Sequence, residues 1–188
     1  MVGRPRSIDR DKVLDAAEAL VIEKGAAELS FESVARAAGI TKSGVQYCFG
    51  TKENLIRSMI ERWGASFETE VMERAGPDRS PRSVIRAHLE STRDSDAAEY
   101  SRSAAMMTAL LQRPEQVAAS RDWYTGRLAS LDMTKKADRD AALAFLAGEG
   151  VFMLRTFGLI ELGEEQWAAL FADMISMADP KRPEQREP

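Results

Sequence analysis

Side chains able to do covalent or metal chemistry are few in this chain of 188 residues. His88 is the sole histidine and Cys48 the sole cysteine. No metal cluster can be assembled from them, and a nucleophile–base pair could be built only around His88. No Gly-rich phosphate loop occurs. Carboxylates are plentiful, but no pattern pairs them for acid–base work. Catalysis, a cofactor and a metal are therefore not expected. Cys48 fits a small buried core residue better than a redox sensor. His88 lies on a helix that could simply expose it, and a pocket role is the lesser alternative.

Recognition chemistry concentrates instead between Phe31 and Phe49. Ala35, Gly39 and Val45 follow one another at intervals of four and six. A helix-turn-helix needs a small residue where two short helices touch, a turn residue tolerant of positive φ, and an apolar inner face on the second helix. Ala35, Gly39 and Val45 supply these in turn. Val34 and Ile40 flank the turn as core, and Cys48 is expected to close the buried stripe. The outer face of the second helix would then hold Thr41, Lys42, Ser43, Gly44, Gln46 and Tyr47. A DNA major groove accepts such a helix. Gln46 could pair with adenine; Thr41 and Ser43 could donate to phosphate or base; Lys42 and Tyr47 could hold phosphates, which set register without reading sequence. Gly44 costs about 1 kcal/mol against Ala inside a helix, and close approach of the backbone to DNA is the expected return. Lys52, with the free N–H groups of the next helix, could bind phosphate. Arg10 and Ser30, at the starts of the first two helices, complete the expected DNA contacts.

The elements that must position these residues are helices. Prolines are few, and helix-favouring Ala, Leu, Met, Glu and Arg abound. Asp9 caps a first helix over about 10–24 that Gly25 ends, with Val13, Ala16, Ala17, Leu20 and Val21 inward. Ser30 caps a second helix that Gly39 breaks. Thr41 caps a third, from about Lys42 to Phe49, and Thr51 a long fourth with Leu55, Ile56, Met59, Ile60, Trp63 and Phe67 inward. A loop follows at 76–81. Further helices are expected at about 82–95, 97–112, 115–131, 135–158 and 164–178, with Pro114 in a first turn.

Residues 10–63 resemble the N-terminal domain of TetR-family regulators. The string FESVARAAGITKSGVQYCFGTKENLI at 31–56 carries the resemblance, and GRPR at 3–6 is similar to the basic arm of many members. Gln46 stands where Tyr is frequent and Cys48 where His is frequent, a departure that touches which operator is read. The resemblance implies an all-α homodimer with an N-terminal three-helix DNA-binding domain and a C-terminal ligand-binding and dimerisation domain. It implies that the last two long helices pair with a partner's in a four-helix interface. It also implies that a small apolar or amphipathic effector releases the protein from operator DNA by favouring a DNA-incompetent state. An activator, or a regulator without an effector, is the alternative.

The expected division is a basic arm at 1–9, a DNA-binding domain at 10–50, an effector and dimer domain at 51–179, and a disordered tail at 180–188. Charge agrees in outline. The net charge is −4, yet residues 1–60 hold nine Lys/Arg against eight Asp/Glu. Arg4, Arg6 and Arg10 cluster near the start; for Arg4 and Arg6 a soluble tail and a minor-groove or phosphate contact are equal alternatives. Met106, Met107, Leu110, Trp123, Phe145, Phe152 and Phe157 could line an effector cavity or be plain core. Glu149 and Arg155 lie in an apolar helix, where a charge is costly unless paired; they could contact a ligand or form an ion pair at the dimer interface. Gly148 permits close helix approach there. Trp167, Phe171, Met174 and Ile175 form the apolar face of the last helix and are the expected dimer contacts. With no secretory signal or membrane-length apolar run, the cytoplasm is the expected location.

Overall fold

A computed structural model describes residues 8–25, 28–111 and 113–181. Arg4, Arg6 and the tail from residue 182 lie outside the described residues. Within them the fold is all-α: α1 (Arg10–Lys24), α2 (Phe31–Ala38), α3 (Lys42–Phe49), α4 (Lys52–Ala75), α5 (Pro81–Asp94), α6 (Ala97–Leu111), α7 (Pro114–Ala129), α8 (Lys136–Thr156) and α9 (Glu164–Ala178). Each bound lies within two residues of the expectation from periodicity. Pro81 opens α5 rather than closing the loop, because its fixed φ and missing N–H suit the first turn. Among the described residues no helix is long and apolar enough to cross a membrane.

Two compact units divide the chain, with the divisions after Gly64 inside α4 and after Tyr100 inside α6. The first unit takes the chain to Gly64 and residues 101–113. Here α1 packs on α2 and α2 on α3. Val13, Leu14, Ala17, Leu20 and Val21 turn inward from α1; Leu14 joins the expected stripe, and Ala16 is half-buried. Asp9 accepts from the N–H groups of Asp11 and Lys12 and so caps α1. An ion-pair cluster at 2.8 Å ties α4 to α1: Arg62 reaches both Glu18 and Asp15.

The second unit holds 65–100 and residues from 114 onward. Its centre is α5, α8 and α9, which pack on one another. Ile85 and Leu89 from α5, Ala141, Ala144 and Phe145 from α8, and Trp167, Phe171 and Met174 from α9 share one buried cluster. Trp167, Phe171 and Met174 are thus core of a single chain, which corrects their expected place in a dimer contact; Ile175 is half-buried against the same cluster. Gly148 likewise serves packing inside the chain. A Cβ built there would collide with Leu89 Cδ2 of α5.

Candidate functional site: a nucleic-acid interface and a cavity

The candidate interface begins at a turn. Gly39 adopts φ +67°, ψ +30°, a left-handed conformation that disfavours side chains with a Cβ. Its N–H reaches back to Ala35 and Arg36 carbonyls, and Ile40 N–H donates to Ala35 O at 3.0 Å, closing α2. Thr41 then caps α3, its Oγ1 accepting from Gly44 N–H at 3.1 Å. Val45 and Phe49 face the core of the unit. Cys48 is half-buried, so Phe49, not Cys48, closes the buried stripe.

What remains outside on α3 is Lys42, Ser43, Gln46 and Tyr47. These form two pairs four residues apart on one helical face. Tyr47 is 87% exposed, an unusual position for an aromatic side chain with no partner to cover it. Gly44 belongs to the other face. It is buried, and a Cβ there would come within 2.9 Å of Ile8 Cδ1 and 3.3 Å of Thr41 Oγ1. The expected approach of DNA to Gly44 is thereby corrected: the small residue makes room for Ile8.

Of the remaining expected contacts, Arg10 and Ser30 are held in place by their own partners. Arg10 lies over the Phe49 ring, 4.8 Å from its centroid, and donates to Ser58 Oγ at 3.0 Å. Ser30 Oγ accepts from Ser33 N–H, while Ser33 Oγ accepts from Ser30 N–H, a reciprocal cap on α2. Lys52 is half-buried at the start of α4. There Thr51 Oγ1 accepts from Asn54 N–H at 3.1 Å. Hydrogen bonds from its own backbone N–H and from Thr51 hold the neighbouring Glu53 carboxyl below its ordinary value. Those N–H groups are therefore not all open to a phosphate.

In the second unit, His88 is buried, 3% exposed, against the expectation of a surface histidine. Its Nε2 lies 2.6 Å from Glu149 Oε1, and Tyr124 Oη donates to Glu149 Oε2 at 2.5 Å. Phe67 and Phe145 meet the imidazole edge-on, each 5.0 Å between centroids. Nearby, Glu68 accepts from Trp123 Nε1 and Arg127. Burial would push Glu149 up, but the His88 hydrogen bond and charge, the Tyr124 hydroxyl and the Arg127 charge outweigh it and hold the carboxyl below its usual range. The same burial and Glu149 contact drive the Tyr124 phenol upward. Glu149 and Arg155 do not pair with each other. Arg155 lies 4.7 Å from the Tyr100 centroid and 4.4 Å from that of Trp167, and donates to Glu164 at 3.0 Å. This group borders a cavity of about 350 Å³, also lined by Arg93 and Asp96.

Comparison with known proteins bears on both units. Residues 13–59 match the model of bacterial regulatory proteins of the tetR family, and 82–179 match that of the tetracyclin repressor-like C-terminal domain. The chain belongs to the TetR family of transcriptional regulators. A TetR-like transcriptional regulator from Rhodococcus sp. RHA1 is 25% identical, covers 94% of this chain and 96% of its own, and superposes with a TM-score of 0.60. A second regulator from Rhodococcus sp. Rha1 is 18% identical over 91% and 96%, with a TM-score of 0.69. The multidrug binding protein EbrR, solved with malachite green, is 20% identical over 94% and 99%, with a TM-score of 0.67. Among curated proteins no sequence matches significantly.

The expected effector residues of this TetR-family chain separate into groups. Met106, Met107 and Leu110 fall in the first unit and are buried. Trp123, Phe145 and Glu149 gather around His88. Phe152 stands beside Tyr100 at 5.5 Å, in the group that holds Arg155. His88, Tyr100 and Tyr124 were not among the expected site residues. Burial of a lone histidine and the meeting of residues 61 and 25 positions apart leave no local pattern, though the isolated charge of Glu149 did require a partner.

Proposed function

We propose that this regulator is a cytoplasmic homodimeric repressor that binds operator DNA through the outer face of α3 and leaves it when a small molecule occupies the second unit. The exposed quartet Lys42, Ser43, Gln46 and Tyr47 on a capped, rigidly seated helix carries the proposal. Gln46 offers a donor–acceptor pair suited to adenine, and Lys42 and Tyr47 supply phosphate contacts. Arg10, Ser30, Thr41 and Lys52 are assigned the accessory DNA contacts, and the DNA-binding function is assigned to 10–50, with effector and dimer functions in 51–179.

Dimerisation is assigned to the outer sides of α8 and α9. Leu143, Leu146 and Leu154 repeat along α8, and Leu170 lies on α9, all large, apolar and exposed in the single chain. A stripe at helical spacing is suited to a second copy. Effector control requires tighter binding of the small molecule to the DNA-incompetent state. The complex of EbrR with malachite green is support by likeness of fold.

The test is a footprint of the purified dimer on the DNA beside its own gene, followed by fluorescence anisotropy on the protected fragment. The expected result is one protected palindromic segment, bound with a steep salt dependence. A reporter driven by that fragment should rise when the regulator gene is deleted; a fall would assign an activator. Absence of sequence-selective protection would refute operator binding.

A further inference from the structure

We infer that the cavity beside Arg155 binds a small organic monocarboxylate, with Arg155 as the anion clamp and the Tyr100 and Trp167 rings as its wall. The inference rests on the proposed effector control and names the chemistry of its ligand. Arg155 lies over Tyr100 and Trp167, and a guanidinium stacked on rings keeps its N–H edge for an acceptor. Among the described residues its ionic partner is Glu164, through a single contact of 3.0 Å. Glu164 is 87% exposed in its side chain, so water and salt compete for that pair. A ligand carboxylate entering the cavity could take both donors of the fork and displace Glu164.

The other charges on the cavity wall are committed elsewhere. Arg93 gives Nε and Nη2 to Asp94. Asp96 accepts from Glu99 N–H at 2.9 Å. Tyr100 Oη is buried, with the Arg155 guanidinium beside it. Burial pushes the Tyr100 phenol up to about 12, so it keeps its proton and sets no negative charge beside Arg155. Trp167 Nε1 is already given to Arg93 O at 2.9 Å, leaving its ring as wall. A volume of about 350 Å³ lies at the small end of ligand sites and suits one aromatic or medium-chain acid. A cationic ligand is disfavoured because Arg155 occupies the neighbourhood of both rings.

The test uses the intact full-length protein with benzoate, 1-naphthoate and octanoate, each beside its neutral amide, by calorimetry and thermal shift. At least one acid should bind at millimolar concentration or below, and its amide should not. Arg155→Gln should weaken that acid by about tenfold or more, a charge-assisted contact being lost. Glu164→Gln, at an exposed position that spares the fold, should strengthen it several-fold by removing the internal competitor. Equal binding of acids and amides, no binding of any acid, or unchanged affinity in E164Q would overturn the inference. Anisotropy on operator DNA separates it from effector control. An acid that binds through Arg155 yet leaves operator affinity unchanged supports the site and refutes its control of DNA binding. Release by an uncharged compound at equal concentration in wild type and R155Q, with no acid bound by either protein, supports control and overturns the site.

Discussion

A carboxylate inside an apolar helix is tolerated only when something answers its charge, and Glu149 has two answers in His88 and Tyr124. Removing one partner leaves the other groups buried and underbonded. His88→Ala should therefore destabilise the protein by about 3 kcal/mol, lowering the melting temperature by roughly 10 °C for a chain of this size, as calorimetry would read. The pH dependence follows from the direction of the Glu149 shift. Its folded value lies below the ordinary 4.5, so the unfolded chain takes up a proton first as acid is added. The stabilisation is complete above about pH 4.5 and is lost as pH falls through the lowered folded value. Melting curves from pH 7 to 3 should show a steeper acid-side decline in wild type than in Glu149→Gln. Parallel curves would mean that the groups around Glu149 (His88, Tyr124, Arg127) do not stabilise its ionised form.

On the scale of elements, the turn between α2 and α3 fixes the direction of the recognition helix. Gly39→Ala puts a Cβ into a left-handed conformation at a cost of about 1 kcal/mol, so both the melting temperature and operator affinity should drop. By contrast, Tyr47→Ala and Lys42→Ala touch only the outer face. Each should leave the melting temperature within about 2 °C of wild type, as surface substitutions do, while weakening operator binding by about tenfold. Full affinity in both would remove α3 as the reader. This region was legible in the sequence because its signals are local: a cap, a glycine and a periodic stripe within twenty residues. The errors at Gly44 and Cys48 have one source. A helix of eight residues has an ambiguous inner face, and Ile8, distant along the chain, decides it for Gly44. Likewise Phe49, rather than Cys48, reaches the core.

On the scale of the whole molecule, the apolar periodicity of α8 and α9 announced helices but could not apportion their two faces. Trp167, Phe171 and Met174 belong to the chain's own core, and the proposed dimer contact falls instead to the exposed leucines. Leu146→Glu together with Leu154→Glu should convert the dimer to a monomer in analytical ultracentrifugation, with operator affinity falling by orders of magnitude as two-site binding is lost. An unchanged sedimentation coefficient would place the dimer contact elsewhere. Side chains far apart in sequence, such as Tyr100, Arg155 and Trp167 around the cavity, had no periodic signature to betray their meeting.

The division of α3 into a seated face and an open one has an evolutionary consequence. Val45, Phe49 and Gly44 are bound to the architecture, whereas Lys42, Ser43, Gln46 and Tyr47 stand free of it. Drift at those four positions is cheap in stability, since exposed substitutions shift it by about 0.5 kcal/mol or less. A duplicated copy of such a gene can wander through new DNA vocabularies while every intermediate still folds.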